Sequence, residues 1–310
     1  MKNIKPKVTV GIPVHNEVSN IGYLLQSIIR QRKTYFELEK IVVVCDGSTD
    51  GTDKKVEEKA RKNSIIHIVK DRKRKGKMAR LMEIYDMNKS DFIFIFDGDV
   101  VLAKTDVIEN MIKHFNKDNI AVVGGNNQPV TEIGFIEKLI SKWSHIWYLA
   151  RSEYNKGDNI HNIRGCVMGI RANFARTIKF PNDIVSDAQY IYFYLLKKGL
   201  KFKFAKNAVV YYRKPDNVKD YFLQTKRSSS EQEKLASLFG ESIKEKYRIP
   251  LANKLLAFLK MLNNEPFYTS LATGFYLLSI IFPYRRINLT DEKLWKSVQS
   301  TKRAITINSF

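Results

Sequence analysis

The chain contains little cysteine, little histidine and no internal repeat or low-complexity tract. Its two cysteines, Cys45 and Cys166, are too few for a disulfide framework, which excludes a disulfide-stapled fold and favours a reducing compartment. The basic start "MKNIKPKVTVGIPV" lacks the long apolar run of a secretory signal, so none is expected. The five histidines show no metal-ligand spacing and indicate no histidine metal site.

Acidic residues are also scarce, with 32 Asp and Glu against 53 Lys and Arg and a net charge of +21. A chain this basic is expected to bind anionic partners, such as phosphate groups, nucleic acid or an acidic membrane face. Nucleic acid is the least favoured of these, because no recognition helix, zinc-finger spacing or aromatic ribonucleoprotein motif is present. The densest basic run, "KDRKRKGK" at 70–77, fits either a solvated loop or attraction to an acidic surface.

Short β-branched runs alternate with amphipathic helical segments over the first 125 residues. This alternation predicts an α/β fold with a mainly parallel sheet, whose ligands bind beyond the carboxyl ends of the strands. Strands are predicted at 7–13, 38–46, 65–70, 91–99 and 120–125, and helices at 20–31, 51–62, 77–87 and 107–115. Further along, an amphipathic, Trp-rich stretch lies at 135–154, a helix is predicted at 186–199, two strands are predicted at 200–205 and 208–214, and 217–247 is polar and helix-like.

The stretch "DGSTDGTDKKVE" has nearly the spacing of a calcium-binding EF-hand loop, with Asp46 first and Glu57 twelfth. An EF-hand loop follows a helix, whereas "IVVVC" before Asp46 has the composition of a buried strand. Asp53 also occupies the eighth position, which is usually apolar. The calcium interpretation is therefore rejected, and Asp46 is placed at the end of a parallel strand, where an α/β domain binds its ligand.

The segment "FIFIFDGDV" is an apolar strand that ends in Asp97-Gly98-Asp99. Two carboxylates one residue apart can act separately, one on a ribose and one on a divalent metal that bridges two phosphates. Gly98 allows the backbone to approach the ligand closely. Two solvated aspartates in a turn are the alternative.

Four motifs follow the first four predicted strands in order: "GIPVHNE", "CDGSTDGT", "KGKMARL" and "FDGD". Over about residues 7–230 this order resembles the family 2 glycosyltransferases with a GT-A, Rossmann-like fold, including the catalytic domain of membrane-associated polysaccharide synthases. The resemblance implies inverting sugar transfer from a nucleotide sugar, UDP-linked, to a saccharide or lipid-linked hydroxyl acceptor, with Mn²⁺ or Mg²⁺. It divides the chain into a catalytic domain at 1–215, whose nucleotide-sugar and acceptor halves meet near residue 125, a helical segment at 216–248 and C-terminal helices at 249–310.

The resemblance also implies the site residues. Pro13, His15 and Glu17 correspond to the first nucleotide-contacting segment, although tyrosine is commoner where His15 stands. Asp46 corresponds to the aspartate on uracil and ribose, Lys77 to the lysine near the donor, Asp97 to the nucleotide aspartate and Asp99 to the metal ligand. Asp187 in "VSDAQY" corresponds to the general base, although Ser186 replaces the usual glutamate before it. A helix N-cap is the alternative role for Asp187.

The segment "QTKRS" at 224–228 resembles the QxxRW motif of processive synthases. Gln224 and Arg227 match this motif, and Arg227 could bind diphosphate in a bidentate manner. Ser228 replaces the tryptophan that would stack on an acceptor sugar. Transfer of a single sugar is therefore favoured over processive synthesis, and a solvated polar helix is the alternative.

The C-terminal part contains an uncharged stretch at 266–284, which follows the basic amphipathic segment "LANKLLAFLKML". Hydrophobic length and flanking cations predict a membrane-embedded or interfacial role at the cytoplasmic side of an anionic membrane. A buried or dimerising soluble helix is the alternative.

Other functions remain open from the residues alone. A nucleotidyltransferase usually has a glycine-rich phosphate loop after its first strand, and "GIPVHNEVSN" has none. A phosphatase of the haloacid dehalogenase type resembles "FIFIFDGDV", but expects this motif near the N-terminus. A non-catalytic, basic membrane-binding module that retains the fold is a further possibility.

Overall fold

The computed structural model describes residues 5–130, 134–182, 184, 186–281 and 299–305. Within this part of the chain, eight strands form one sheet in the order β3-β2-β1-β4-β7-β6-β8-β5. The strands are β1 (Lys7–Val14), β2 (Glu37–Asp46), β3 (Ile66–Asp71), β4 (Phe92–Phe96), β5 (Val100–Leu102), β6 (Ile120–Pro129), β7 (Val167–Arg171) and β8 (Lys201–Tyr212).

Helices cover both faces of this sheet. They are α1 (Ile21–Ile29), α2 (Thr52–Lys62), α3 (Lys77–Met87), α4 (Val107–Ile112), α5 (Phe135–Glu153), α6 (Ala172–Ala175), α7 (Asp187–Lys197), α8 (Val218–Phe239), α9 (Ile243–Lys246), α10 (Leu251–Asn264) and α11 (Pro266–Ile281). Short 3₁₀ turns lie at Tyr154–Gly157, Ile160–Asn162 and Gln299–Lys302.

The predicted α/β fold is confirmed. Strand β1 pairs in parallel with β2 and β4, β2 pairs in parallel with β3, and β6 with β8. Alternation along β2 explains the two covered faces, because Ile41 and Val43 pack into one hydrophobic core and Val42 and Val44 into the other. A strand buried on both faces reads as a continuous apolar run, which is the pattern found in the sequence.

Two features of the second half differ from the sequence prediction. The two strands predicted at 200–205 and 208–214 are the single strand β8, since a bulge between the pairs Gly125–Ala205 and Asn126–Val209 takes up the polar residues between them. Strand β7 was not predicted at all, although it pairs antiparallel with both β4 and β6. Through β7 the two halves of the chain share one sheet.

The carboxyl ends of the four N-terminal parallel strands lie at one edge of the sheet. In the strand registers Val14 is opposite Cys45, and Asp46 is opposite Asp71. The loops that follow β1, β2, β3 and β4 therefore gather at this edge, together with the motifs noted in the sequence.

The C-terminal helices α10 and α11 pack on α5. Ile146 and Ala150 of α5 form a small core with Ala257 and Met261 of α10, and Trp143 stacks on Tyr276 with ring centroids 3.8 Å apart. In the part of the chain that the structure describes, no helix combines the length and apolar character needed to cross a membrane. Of the uncharged stretch at 266–284, residues 282–284 lie outside the described part.

Candidate active site

An open cleft of about 480 Å³ lies beyond the end of β4. Its volume is within the ~300–1,000 Å³ range of ligand pockets. The start of α3, the loop after β4, the segment before β7 and the start of α7 form its walls. The cleft brings together four of the predicted site residues, namely Lys77, Asp97, Asp99 and Asp187.

Lys77 lies between two of these carboxylates. Its Nζ is 2.7 Å from Asp97 Oδ1 and 3.1 Å from Asp187 Oδ2, and it also donates a hydrogen bond of 3.4 Å to the Gly165 carbonyl. Burial opposes the charged form, but the charges of Asp187 and Asp97 outweigh it and raise the pKa of Lys77 above its usual value. Lys77 is therefore the positive centre of an acidic cluster.

Asp97 and Asp99 project from the turn after β4. Burial raises the pKa of Asp97 to about 7; the charge of Lys77 opposes this shift, and the charges of Asp99 and Asp187 add to it. A Cβ at Gly98 would lie 2.8 Å from Val14 Cγ2 and 3.0 Å from Glu17 Cγ. Glycine thus allows this turn to lie against the end of β1, as its close approach requires.

Asp187 opens α7 and is 5% exposed. Ser186, not Asp187, is the N-cap residue, since its side chain accepts a hydrogen bond from the Gln189 amide. The capping alternative considered for Asp187 is therefore wrong. A Cβ at Gly165 would lie 2.5 Å from both carboxylate oxygens of Asp187, so the aspartate is packed directly over this glycine.

Glu231 of α8 supports the start of α7, a role not predicted from the sequence. Its carboxylate accepts a 3.0 Å hydrogen bond from the Ser186 amide, and Glu231 is 1% exposed. A buried glutamate within a polar helical segment carries no sequence signal of its own, because similar residues on the same helix face solvent.

Asp46 is buried and binds the loop after β3. Its Oδ1 accepts hydrogen bonds from the Lys75 amide at 2.7 Å and from Arg80 Nε at 2.8 Å, and its Oδ2 accepts from the Gly76 amide at 2.9 Å. Arg80 also donates to the Lys73 carbonyl at 2.9 Å. Asp46 thus holds this loop beside the cleft, and its predicted contact with uracil and ribose stays a prediction.

Arg80 was missed in the sequence, where it lies within the apolar helical run "KMARLMEIYDM". It is 1% exposed and forms ion pairs with Asp46, Asp71 and Glu83. A buried arginine requires such partners. The basic run at 70–77 has both structural and exposed members. Lys75 forms an ion pair with Asp71 at 2.9 Å, whereas Arg72 and Lys73 are exposed.

The predicted first nucleotide-contacting segment lies next to the cleft. Pro13 is buried in β1 opposite Val44. His15 Nδ1 donates a 2.8 Å hydrogen bond to the Asp46 carbonyl, and burial lowers the pKa of His15. Burial, and then the charge of Asp99, raises the pKa of Glu17 to about 8. Their predicted contacts with a nucleotide stay predictions.

A C-terminal segment, residues 299–305, covers this first segment. Lys302 Nζ contacts the Glu17 carboxylate and lies 3.3 Å from the His15 carbonyl. The Ile305 amide donates a 3.0 Å hydrogen bond to Asn20 Oδ1, and Ile305 is fully buried. This contact could not be predicted from local sequence patterns, because Ile305 and Asn20 are 285 positions apart in the chain.

The "QTKRS" segment lies in α8, which ends at Phe239; the helix-like region at 217–247 is thus divided into α8 and α9 at Gly240. The side chains of 222–230 are outside the described part of the structure. The predicted donor contacts of Gln224 and Arg227 therefore stay predictions.

Residues 9–178 match the sequence profile described as Glycosyl transferase family 2, which is more than half of the chain. The chain belongs to this family. Among curated proteins, it is 31% identical over 96 residues to the undecaprenyl-phosphate 4-deoxy-4-formamido-L-arabinose transferase of Proteus mirabilis, covering 30% of this chain and 29% of that protein. It is also 26% identical over 201 residues to an uncharacterised protein of Methanocaldococcus jannaschii, covering 61% of this chain and 82% of that one.

Two solved structures of other proteins have the same fold. The mannosyltransferase PcManGT from Pyrobaculum calidifontis, in complex with GDP-Man and Mn²⁺, has a TM-score of 0.61 at 19% identity, covering 91% of this chain and 77% of its own. Residues 1–349 of TarS from S. aureus have a TM-score of 0.52 at 15% identity, covering 84% of this chain and 72% of that one. The predicted GT-A fold is confirmed.

Proposed function

We propose that the chain is a metal-dependent, inverting glycosyltransferase. It moves a hexosyl group from a nucleotide sugar to a hydroxyl acceptor, and the proposed donor is a UDP-sugar. The observation that carries this proposal is the convergence of Lys77, Asp97, Asp99 and Asp187 in one cleft of ligand size. These residues come from α3, the turn after β4 and α7, and the family membership of the chain supports the same chemistry.

A divalent metal fits the charges of the cleft. Three carboxylates, those of Asp97, Asp99 and Asp187, line it together with Lys77, and the raised pKa of Asp97 reflects burial together with its acidic neighbours. Within the described ranges no group of three or more His, Cys, Asp or Glu side chains could hold a metal unaided. Asp99 would hold Mn²⁺ or Mg²⁺ together with the donor diphosphate, whose negative charge the metal would neutralise, and Asp97 would contact the nucleotide.

The side chains of this cleft supply the remaining chemistry. Asp187 accepts the proton of the acceptor hydroxyl as its oxygen attacks the anomeric carbon and the nucleoside diphosphate leaves. Lys77 is paired with Asp187. When its ammonium turns to a diphosphate oxygen, it stabilises the leaving group and frees the Asp187 carboxylate to act as base.

The acceptor side of the proposal places the enzyme at an anionic membrane face. Four leucines of α10 are exposed, from Leu259 at 48% to Leu251 at 78%, and Lys254 and Lys260 are exposed on the same helix. Apolar side chains beside cations match an interface between acyl chains and anionic headgroups. The net charge of +21 supports the same partner. A saccharide carried on a lipid would reach the cleft from such a surface.

The proposal is tested by measuring nucleotide release from a panel of UDP- and GDP-sugars with Mn²⁺, Mg²⁺ or a chelator. We expect release from one donor, dependent on metal, and its loss in Asp99→Asn. Asp86→Asn, at an exposed position of α3, is the matched control and should behave as wild type. Absence of release from every donor, with saccharide and lipid-linked acceptors supplied, would instead support the non-catalytic module. Release of pyrophosphate from nucleoside triphosphates would identify a nucleotidyltransferase.

A further inference from the structure

Two arginines with no acidic partner lie at one wall of the cleft. Arg164 lines the cleft directly before Gly165, the residue over which Asp187 packs. Arg151 of α5 lies behind it and is 5% exposed. In the part of the chain that the structure describes, neither guanidinium forms an ion pair with a carboxylate, and the Nε atoms of both are buried without a hydrogen-bond partner.

The hydrogen bonds of Arg151 go to neutral oxygens only. Its Nη1 donates to the His161 carbonyl and to Asn162 Oδ1, each at 2.7 Å, and its Nη2 lies 3.4 Å from Asn127 Oδ1. These contacts fix the position of Arg151 but leave its charge uncompensated. For Arg164, the described residues provide no side-chain hydrogen bond.

The two like charges are close enough to affect each other. Burial, and then the charge of Arg164, lowers the pKa of Arg151 to about 9. The charge of Arg164 also opposes protonation of His161, whose pKa burial lowers to about 4. Buried charges of one sign destabilise a fold unless a charge of the other sign neutralises them. Arg151 is buried and Arg164 is partly buried at the cleft wall, so an anion that enters the cleft could neutralise both charges.

We propose that Arg164, supported by Arg151, forms a subsite that holds a phosphate group of the acceptor beside Asp187. A guanidinium donates two parallel hydrogen bonds to phosphate oxygens, and two guanidiniums match the charge of a phosphate monoester. The inference rests on the proposed function, since it names the acceptor class of the same cleft. Trp147, His161 and Tyr247 form the adjoining wall, which suits the uncharged part of such an acceptor.

The first test measures the melting temperature of the full chain with inorganic phosphate and with dodecyl phosphate, and uses dodecyl maltoside to control for detergent effects. Both phosphates should raise the melting temperature of the wild type, because a ligand that binds the folded state stabilises it. Arg164→Gln should bind them about tenfold or more weakly, since it loses charge-assisted hydrogen bonds. Without added anion its melting temperature should equal or exceed that of the wild type, because one of two repelling charges is gone.

Arg61→Gln removes a charge from an exposed position of α2 and is the matched control. Arg164→Lys should recover part of the phosphate binding. Tighter binding of dodecyl phosphate than of inorganic phosphate would indicate a lipid phosphate as the source, and equal binding a soluble phosphorylated acceptor. Phosphate binding that is unchanged in Arg164→Gln would overturn the proposal, as would a lower melting temperature of that variant without anion.

A kinetic test separates this subsite from the donor site. Arg164→Gln should raise the acceptor KM while the donor KM stays as in the wild type. An increase in the donor KM alone would place Arg164 on the donor diphosphate and contradict the inference. If no donor supported release, the melting experiment would still report on the phosphate subsite, since it requires no turnover.

Discussion

Lys77 Nζ lies 3.1 Å from Asp187 Oδ2, so the lysine predicted near the donor and the aspartate predicted as base form one ion pair. In the proposed reaction, donor binding would draw Lys77 away from Asp187 before Asp187 accepts a proton, and this would couple donor binding to activation of the acceptor.

Lys77→Met tests this coupling. Removal of the ammonium leaves Asp97 and Asp187 facing each other, and the free energy of unfolding should fall by about 3 kcal/mol, as for other broken buried pairs. Denaturant titration measures this loss, with Lys89→Met at an exposed position as the control. The double variant Lys77→Met/Asp97→Asn should recover part of the stability. Additive effects of the two substitutions would contradict a direct interaction.

Asp187→Asn tests the general base. The substitution keeps the size of the side chain but removes its basicity, so the transfer rate should fall by roughly 10²–10⁴. Nucleotide affinity, measured by calorimetry with Mn²⁺, should stay within a few-fold of the wild type. Near-normal transfer would remove Asp187 from the mechanism.

Glu17→Gln tests a dependence of stability on pH. Burial raises the pKa of Glu17 from 4.5 to about 8, so the folded chain holds a proton that the unfolded chain releases. Its contribution to stability is therefore complete below the unfolded pKa and is lost as the pH rises towards the folded pKa. The glutamine does not ionise. The melting temperature of the variant minus that of the wild type should therefore increase as the pH rises from about 5 to about 9.

The control for this pH series is Glu245→Gln, at an exposed position of α9. Its melting temperature should follow the wild type at every pH. A constant difference between Glu17→Gln and the wild type across the range would show that Glu17 does not titrate in this window.

Ile305→Ala tests the docking of the 299–305 segment. Ile305 is fully buried and its amide binds Asn20, so truncation of the side chain should lower the free energy of unfolding by about 2–5 kcal/mol if the segment unfolds with the rest of the chain. Trypsin should then cleave faster after Lys302. Val18→Ala, at a position 38% exposed, should have little effect on either readout. Unchanged stability together with unchanged cleavage would show that the segment is held independently of Ile305.

Leu255→Ser/Leu256→Ser tests the membrane face of α10. These leucines are 53% and 67% exposed, so folding should be little affected. Co-sedimentation with phosphatidylglycerol vesicles should fall about tenfold or more, since each leucine buried in a membrane contributes about 1.5–3 kcal/mol. Leu238→Ser on α8, 43% exposed, is the control. Loss of a dimer with no loss of vesicle binding would support the dimerising-helix alternative.

The local features of this protein were predictable from its sequence. Parallel strands buried on both faces carry continuous apolar runs, so β1, β2 and β4 could be predicted from the sequence. The acidic residues that follow these strands were expected at one edge of the sheet. Strand β7 could not be read, because it has only five residues and Gly169 interrupts their apolar pattern. The bulge in β8 was missed for a related reason, since its polar residues look like a turn.

The sequence by itself determined the fold class, the family and four of the residues that line the cleft, Lys77, Asp97, Asp99 and Asp187. Only the tertiary structure decided how they are paired. It placed Lys77 between two carboxylates, turned Asp46 towards the loop after β3, brought Lys302 to Glu17, and left Arg151 and Arg164 without an acidic partner among the described residues. Such pairings depend on distance and burial between segments far apart in the chain, and local patterns of residues carry no information on either.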